Sequence, residues 1–106
     1  MADQVRASHI LLMYAGSDRS TATRSKDEAL AQIEALAKEL EDGGEFDKLA
    51  ADNSDCPSGA KGGDLGAFGR GQMVGAFEDT AFGLDVGATS GVIETSFGYH
   101  LIKRTG

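Results

Sequence analysis

The sequence predicts an α+β domain with helices packed around a small sheet. Two observations carry that reading. The apolar pattern changes period along the chain: a nearly continuous apolar run within residues 5–14, then a helical repeat at Leu30, Ile33, Leu36, Ala37 and Leu40, then two short β-rich runs at residues 90–95 and 99–103. In addition, 106 residues with 41% hydrophobic content fit one compact core, so residues 1–106 are expected to form a single domain.

The elements follow in order. Residues 5–14, VRASHILLMY, are β-rich and mostly apolar in their second half, as suits a strand buried on both faces. Residues 16–24 are small and polar and read as a loop. Ser25 followed by Glu28 is the S-x-x-E signature of a capping box. The helix it opens should stop at Gly43 and Gly44. Phe46, Leu49 and Ala50 mark a short second helix ending near Asn53. Residues 54–63, SDCPSGAKGG, hold too many turn formers for a regular element. Residues 65–68 read as a short strand and residues 74–82 as a third helix, with Phe77, Ala81 and Phe82 on one side. A turn at 84–87 leads to strands at 90–95 and 99–103, joined by a tight connection at Phe97 and Gly98.

Charge and composition narrow the function classes. The net charge of −7 opposes nucleic-acid phosphates and anionic membrane surfaces, so neither is an expected partner. No apolar run approaches the roughly 20 residues of a membrane span. The start of the chain lacks the pattern of a secretory signal, and its single cysteine excludes an internal disulfide. A cytoplasmic, monomeric protein is the expectation. The 15 glycines do not repeat; they cluster between Gly59 and Gly91, a turn-rich stretch of short elements.

Few residues can carry chemistry. The two histidines, His9 and His100, fall in the first and last candidate strands. They are either ordinary strand residues or, if those strands adjoin, a side-by-side pair. A metal site would need further ligands, and no metal-ligand spacing is present, so no metal is expected. Cys56 is either a small buried hydrophobe or a site thiol, although no local signature of a thiol nucleophile accompanies it. Leu65, Phe68, Met73, Phe77 and Phe82 could be core alone or could also line a shallow apolar pocket; composition does not separate these readings.

These pieces, in this order, resemble the parvulin family of peptidyl-prolyl cis/trans isomerases. The matching motifs are A-S-H-I-L with His9, K-D-E-A-L-A from Lys26, F-D-K-L-A from Phe46 and S-D-C ending at Cys56. G-G-D-L-G-A-F-G-R-G-Q-M then runs from Gly62 to Met73, followed by A-F-E-D-T-A-F from Ala76 and G-Y-H-L-I-K-R from Gly98. The resemblance runs from about Val5 to the end of the chain, and the long glycine-rich motif is its most specific part.

The resemblance implies a four-stranded antiparallel sheet surrounded by three to four helices, with one more helical turn between the first two strands than the pattern alone shows. It implies catalysis of X-Pro isomerisation in proline-containing segments of client proteins, without a cofactor. His9 and His100 would be the paired central histidines, with Thr95 supporting them by hydrogen bonding. Cys56 would hold a position that is cysteine in some members and aspartate in others; on chemical grounds the histidine pair is expected to fix a hydrogen-bond network and set the protonation of Cys56. Leu65, Met73 and Phe77 would take the proline ring, with Gln72 at the rim; independently of the resemblance, an uncharged residue before proline can lie against apolar surface near Met73 and Phe97. The phosphate-directed branch carries clustered basic residues in and after the first strand. Here Met13 stands where a basic residue would be expected, and Asp18 adjoins Arg19. A non-phospho-specific, non-covalent isomerase is the expectation; a peptide-holding module without turnover and a thiol hydrolase are the alternatives.

Overall fold

In the computed structural model the described residues are 4–17, 20, 22–73 and 75–106; Asp18, Arg19 and Val74 lie outside them. The opening apolar run forms β1, Gln4–Leu12. Gln4 and Arg6 are exposed, and every residue from Ala7 onward is buried. Burial on both faces follows from the strand's place. The sheet is completed by β2 (Asp64–Gly69), β3 (Ile93–Thr95) and β4 (Gly98–Arg104), in the antiparallel order β2-β1-β4-β3.

Alternation along the two central strands sends their side chains into two layers. Ile10 and Leu12 of β1 join Tyr99 and Leu101 of β4 under α1 (Lys26–Glu41) and α2 (Phe46–Asn53), which contribute Ala29, Ile33, Leu36, Phe46 and Ala50. Val5, Ala7 and Ile102 face the other way, against Phe68 of β2 and against Phe77 and Ala81 of α3 (Gly75–Gly83). The α1–α2 layer is strongly acidic: residues 26–53 hold nine carboxylates against three lysines.

The helix at Ser25 is capped as its sequence predicts. The Ser25 hydroxyl accepts from the Glu28 amide at 3.1 Å, and the Glu28 carboxylate accepts from the Ser25 amide at 2.9 Å. The extra helical turn implied within residues 54–63 is a 3₁₀ turn, Pro57–Lys61.

The expected strand at 90–95 is shorter than its pattern, for a local reason. Ser90 runs beside β4, and its amide donates to the Ile102 carbonyl at 2.7 Å. The Ile102 amide, however, donates to the Ser90 hydroxyl at 3.0 Å, where a ladder would offer a backbone carbonyl. Regular pairing therefore starts only at Ile93.

Two glycines are demanded by close backbone approaches to β1. Gly63 has φ +85°, and its amide neighbourhood is so tight that a Cβ would lie 2.3 Å from the His9 carbonyl oxygen. Gly98 has φ +144°, and a Cβ there would lie 2.3 Å from the Leu12 carbonyl oxygen. Both positions need a residue without a side chain.

Candidate active site

His9 of β1 and His100 of β4 are diagonal cross-strand neighbours: His9 stands opposite Ile102, and Leu11 opposite His100. Their rings stack with centroids 5.3 Å apart and planes inclined by 25°. The two Nδ1 atoms are 3.1 Å apart and share one hydrogen bond. His100 Nε2 lies 2.7 Å from the Thr95 hydroxyl, which also accepts from the Phe97 amide at 3.2 Å. His9 Nε2 is buried without a polar partner, and the ring packs edge to face with Phe77, centroids 5.4 Å apart.

This chain of contacts works only with uncharged rings. One Nδ1 must donate and the other accept, so two imidazolium rings could not share it. Burial lowers the His9 pKa to about 4, and burial together with the nearby His9 lowers that of His100 to about 3. Both rings are therefore neutral at pH 7.

The pair forms part of the wall of an open cavity of about 420 Å³. Leu65, Met73 and Phe77 supply apolar surface to it, as do Leu11 and Met13 from the β1 side. Cys56, Gln72 and Phe97 complete the rim. Thr95 reaches the cavity only through His100. The apolar cluster noted in the sequence is thereby divided: Phe68 and Phe82 belong to the packed layer under the site, and Phe77 serves both. The Gln72 side-chain oxygen accepts from the Gly69 amide at 2.7 Å and so holds the turn that follows β2.

Cys56 is placed by a lacing between residues 54–56 and the end of β1. The Ser54 hydroxyl accepts from the Leu11 amide at 3.1 Å and from the Cys56 amide at 3.3 Å. The Asp55 amide donates to the Leu11 carbonyl at 2.7 Å, and the Asp55 carboxylate accepts from the Met13 amide at 2.8 Å. Arg24 closes the arrangement, donating to the same carboxylate oxygen and, at 2.9 Å, to the Met13 carbonyl. The half-buried thiol receives a hydrogen bond from the Ser58 hydroxyl at 3.1 Å.

One expectation needs correction here. The histidine pair was expected to set the protonation of Cys56, but its nitrogens bond to each other and to Thr95, and the partner of the sulfur is Ser58. With no imidazole hydrogen-bonded to its sulfur, Cys56 lacks the paired base that a thiol nucleophile requires. Among the described residues no group of three metal-ligating side chains converges.

Residues 1–106 match the family model described as the PPIC-type PPIASE domain. The chain belongs to this family, the parvulins. Peptidyl-prolyl cis-trans isomerase Pin1 of Malus domestica is 44% identical over 115 residues, covering 98% of this chain and 95% of that protein. The structure of peptidyl-prolyl isomerase ESS1 from Candida albicans superposes with a TM-score of 0.92 at 38% identity; the match covers 98% of this chain and 63% of that one. The parvulin NmPin of Nitrosopumilus maritimus is 40% identical, with a TM-score of 0.73, over 100% of this chain and 99% of that one. This parvulin is a peptidyl-prolyl cis/trans isomerase acting on proline-containing peptides, and its four-stranded antiparallel sheet is the sheet of the family.

The sequence missed Leu11 and Met13 as lining residues, although strand alternation offered the signal: they lie two and four residues after His9 and so share its face. It also missed the roles of Ser54, Asp55 and Ser58 as supports of Cys56. The contacts of Ser54 and Asp55 link a loop to a strand some 40 residues away and leave no periodic trace, whereas that of Ser58 is local, two residues from Cys56.

Proposed function

We propose that this parvulin turns over X-Pro bonds without a covalent intermediate and prefers an uncharged residue before proline. The twisted amide at the transition state has lost its resonance, so it is less dipolar than either planar form. An apolar cavity favours it over both. The proline ring lies against Leu65, Met73 and Phe77, and the preceding carbonyl rotates near Cys56. An acceleration of about 10⁴ requires roughly 5 kcal/mol of such differential stabilisation. That amount is within reach of desolvation plus one or two polar contacts. His9, His100 and Thr95 act as a positioning network: they hold the cavity wall rigid and contribute no charge at neutral pH.

The observation that carries the preference is the state of Arg24, the described cation that bonds to the cavity-lining Met13; Arg19 lies outside the described residues. Arg24 spends its guanidinium on Asp55 and the Met13 carbonyl, and Met13 itself presents a thioether to the cavity. Away from the cavity lining, Lys26 is paired with Glu94 at 3.0 Å and Arg70 with Glu78 at 3.7 Å. A phosphate before proline carries about −1.5 to −2 charges and calls for clustered free donors. The test is kcat/KM on matched peptides with alanine, leucine, glutamate or phosphoserine before proline, at low and moderate salt. Alanine and leucine should be turned over at least as fast as the acidic residues. A tenfold or greater advantage for phosphoserine, about 1.4 kcal/mol, would overturn this reading.

Two further features belong to the proposal. A monomer is supported by the surface: Val86 is the one large apolar side chain that is strongly exposed among the described residues. A reducing compartment, such as the cytoplasm, suits a free and partly accessible thiol on the rim of the site.

A further inference from the structure

We propose that Asp55 is a specificity-determining residue: it acts as an internal anion that occupies Arg24, the cation that would otherwise read an acidic residue before proline. The proposal rests on the preference for uncharged residues argued above and names its source.

The geometry is specific. The Arg24 guanidinium touches the Met13 carbonyl, and Met13 lines the cavity; it also pairs with the carboxylate of Asp55, the residue directly before Cys56, which lines it too. The cation thus sits between two lining residues, just behind the rim. Its partner is half-exposed rather than buried, with relative exposure of 25% for the Arg24 side chain and 28% for that of Asp55. A peptide anion arriving at the rim would meet an already neutralised pair. It could recruit Arg24 only by displacing a carboxylate that is held in place by the Met13 amide as well. An intramolecular carboxylate with that second tether competes at high effective concentration with any external one. Removal of its charge alone should release the guanidinium toward the cavity.

Asp55→Asn is the appropriate change, because an amide oxygen can still accept from the Met13 amide and keep the lacing intact. The measurement is the ratio of kcat/KM for glutamate over alanine before proline, with the phosphoserine peptide run in parallel. A ratio within one preparation does not depend on how much of the variant is folded. Asp55→Asn should raise this ratio at least tenfold over the parent, with the gain shrinking as salt is added. Arg24→Gln combined with Asp55→Asn should abolish the gain. Arg24→Gln alone should move the ratio the opposite way, at least threefold down, since it leaves the Asp55 carboxylate unpaired beside the incoming acidic residue. If the parent favours alanine and Asp55→Asn leaves the ratio unchanged, this inference fails and the preference stands. If the parent already favours phosphoserine tenfold, the preference itself is wrong. A gain in Asp55→Asn that persists without Arg24 would also refute the assignment, because some other cation would then be the reader.

Discussion

The neutral histidine pair makes a sharp prediction about additivity. Consider His100→Phe, which keeps an aromatic ring in the stack but deletes both nitrogens. His9 Nδ1 then loses its 3.1 Å partner. Its Nε2 is already unpartnered, so a buried imidazole is left with no polar contact at all. An unsatisfied buried polar group costs about 1–3 kcal/mol, and the lost bond to Thr95 adds about 1 kcal/mol. The single change should therefore destabilise by about 2–4 kcal/mol, a large share of the roughly 5–15 kcal/mol expected of such a domain. His9→Phe should cost about as much as the stranding of His100 Nδ1, roughly 1–3 kcal/mol. The double variant removes both partners together, along with the orphaned Nε2. Its cost should be no greater than that of the worse single change. Urea unfolding of the parent, both singles and the double gives the coupling energy directly, provided the m-values agree. If the two single costs add to within about 0.5 kcal/mol, the shared hydrogen bond carries no stability and the structural role assigned to the pair is wrong. Turnover in the same four proteins separates the remaining possibility: a double variant that regains stability but stays inactive would make the imidazoles direct participants.

Two other outcomes follow from the same geometry. Unfolding restores each histidine to a pKa near 6.5, whereas folding holds them at about 4 and about 3. Between pH 6.5 and 4 the unfolded chain thus binds up to two more protons, and stability should fall with falling pH by about 3 kcal/mol per unit at most; a flat Cm in urea from pH 7 to pH 5 would contradict this. At Cys56, a polar or anionic group near the rotating carbonyl suffices, so Cys56→Asp should retain substantial kcat/KM while Cys56→Ala loses more, and a trapped thiol adduct together with a dead aspartate variant would refute the non-covalent account.

Much of the fold was legible because the relevant signals are local. The capping box at Ser25 and Glu28, the two-sided burial of residues 8–12 and the short helix ending at Asn53 all follow from residues a few positions apart. The adjacency of His9 and His100 is different. Pattern placed each on a strand, but only the motif resemblance placed those strands side by side, because antiparallel pairing over 91 residues has no local signature. The Arg24–Asp55 pair was out of reach for the same reason: the carboxylate that binds Arg24 arrives from 31 residues away. At residues 90–92 the β-rich composition misled, since a serine hydroxyl took over an acceptor that a strand would have supplied from its backbone.

The division of charge between the two faces of the sheet gives the molecule a direction. The nine carboxylates and three lysines of residues 26–53 lie on the α1–α2 side, while the cavity opens on the side of α3. The cations Lys26, Arg24 and Arg70 are meanwhile each matched by a carboxylate. In an external field such a body behaves as a dipole as well as a net anion. Spread on a cationic matrix, it should settle with α1 and α2 downward and its catalytic face toward solvent. Simple adsorption to an anion exchanger would then serve as an oriented immobilisation, leaving the isomerase able to meet unfolded chains flowing past.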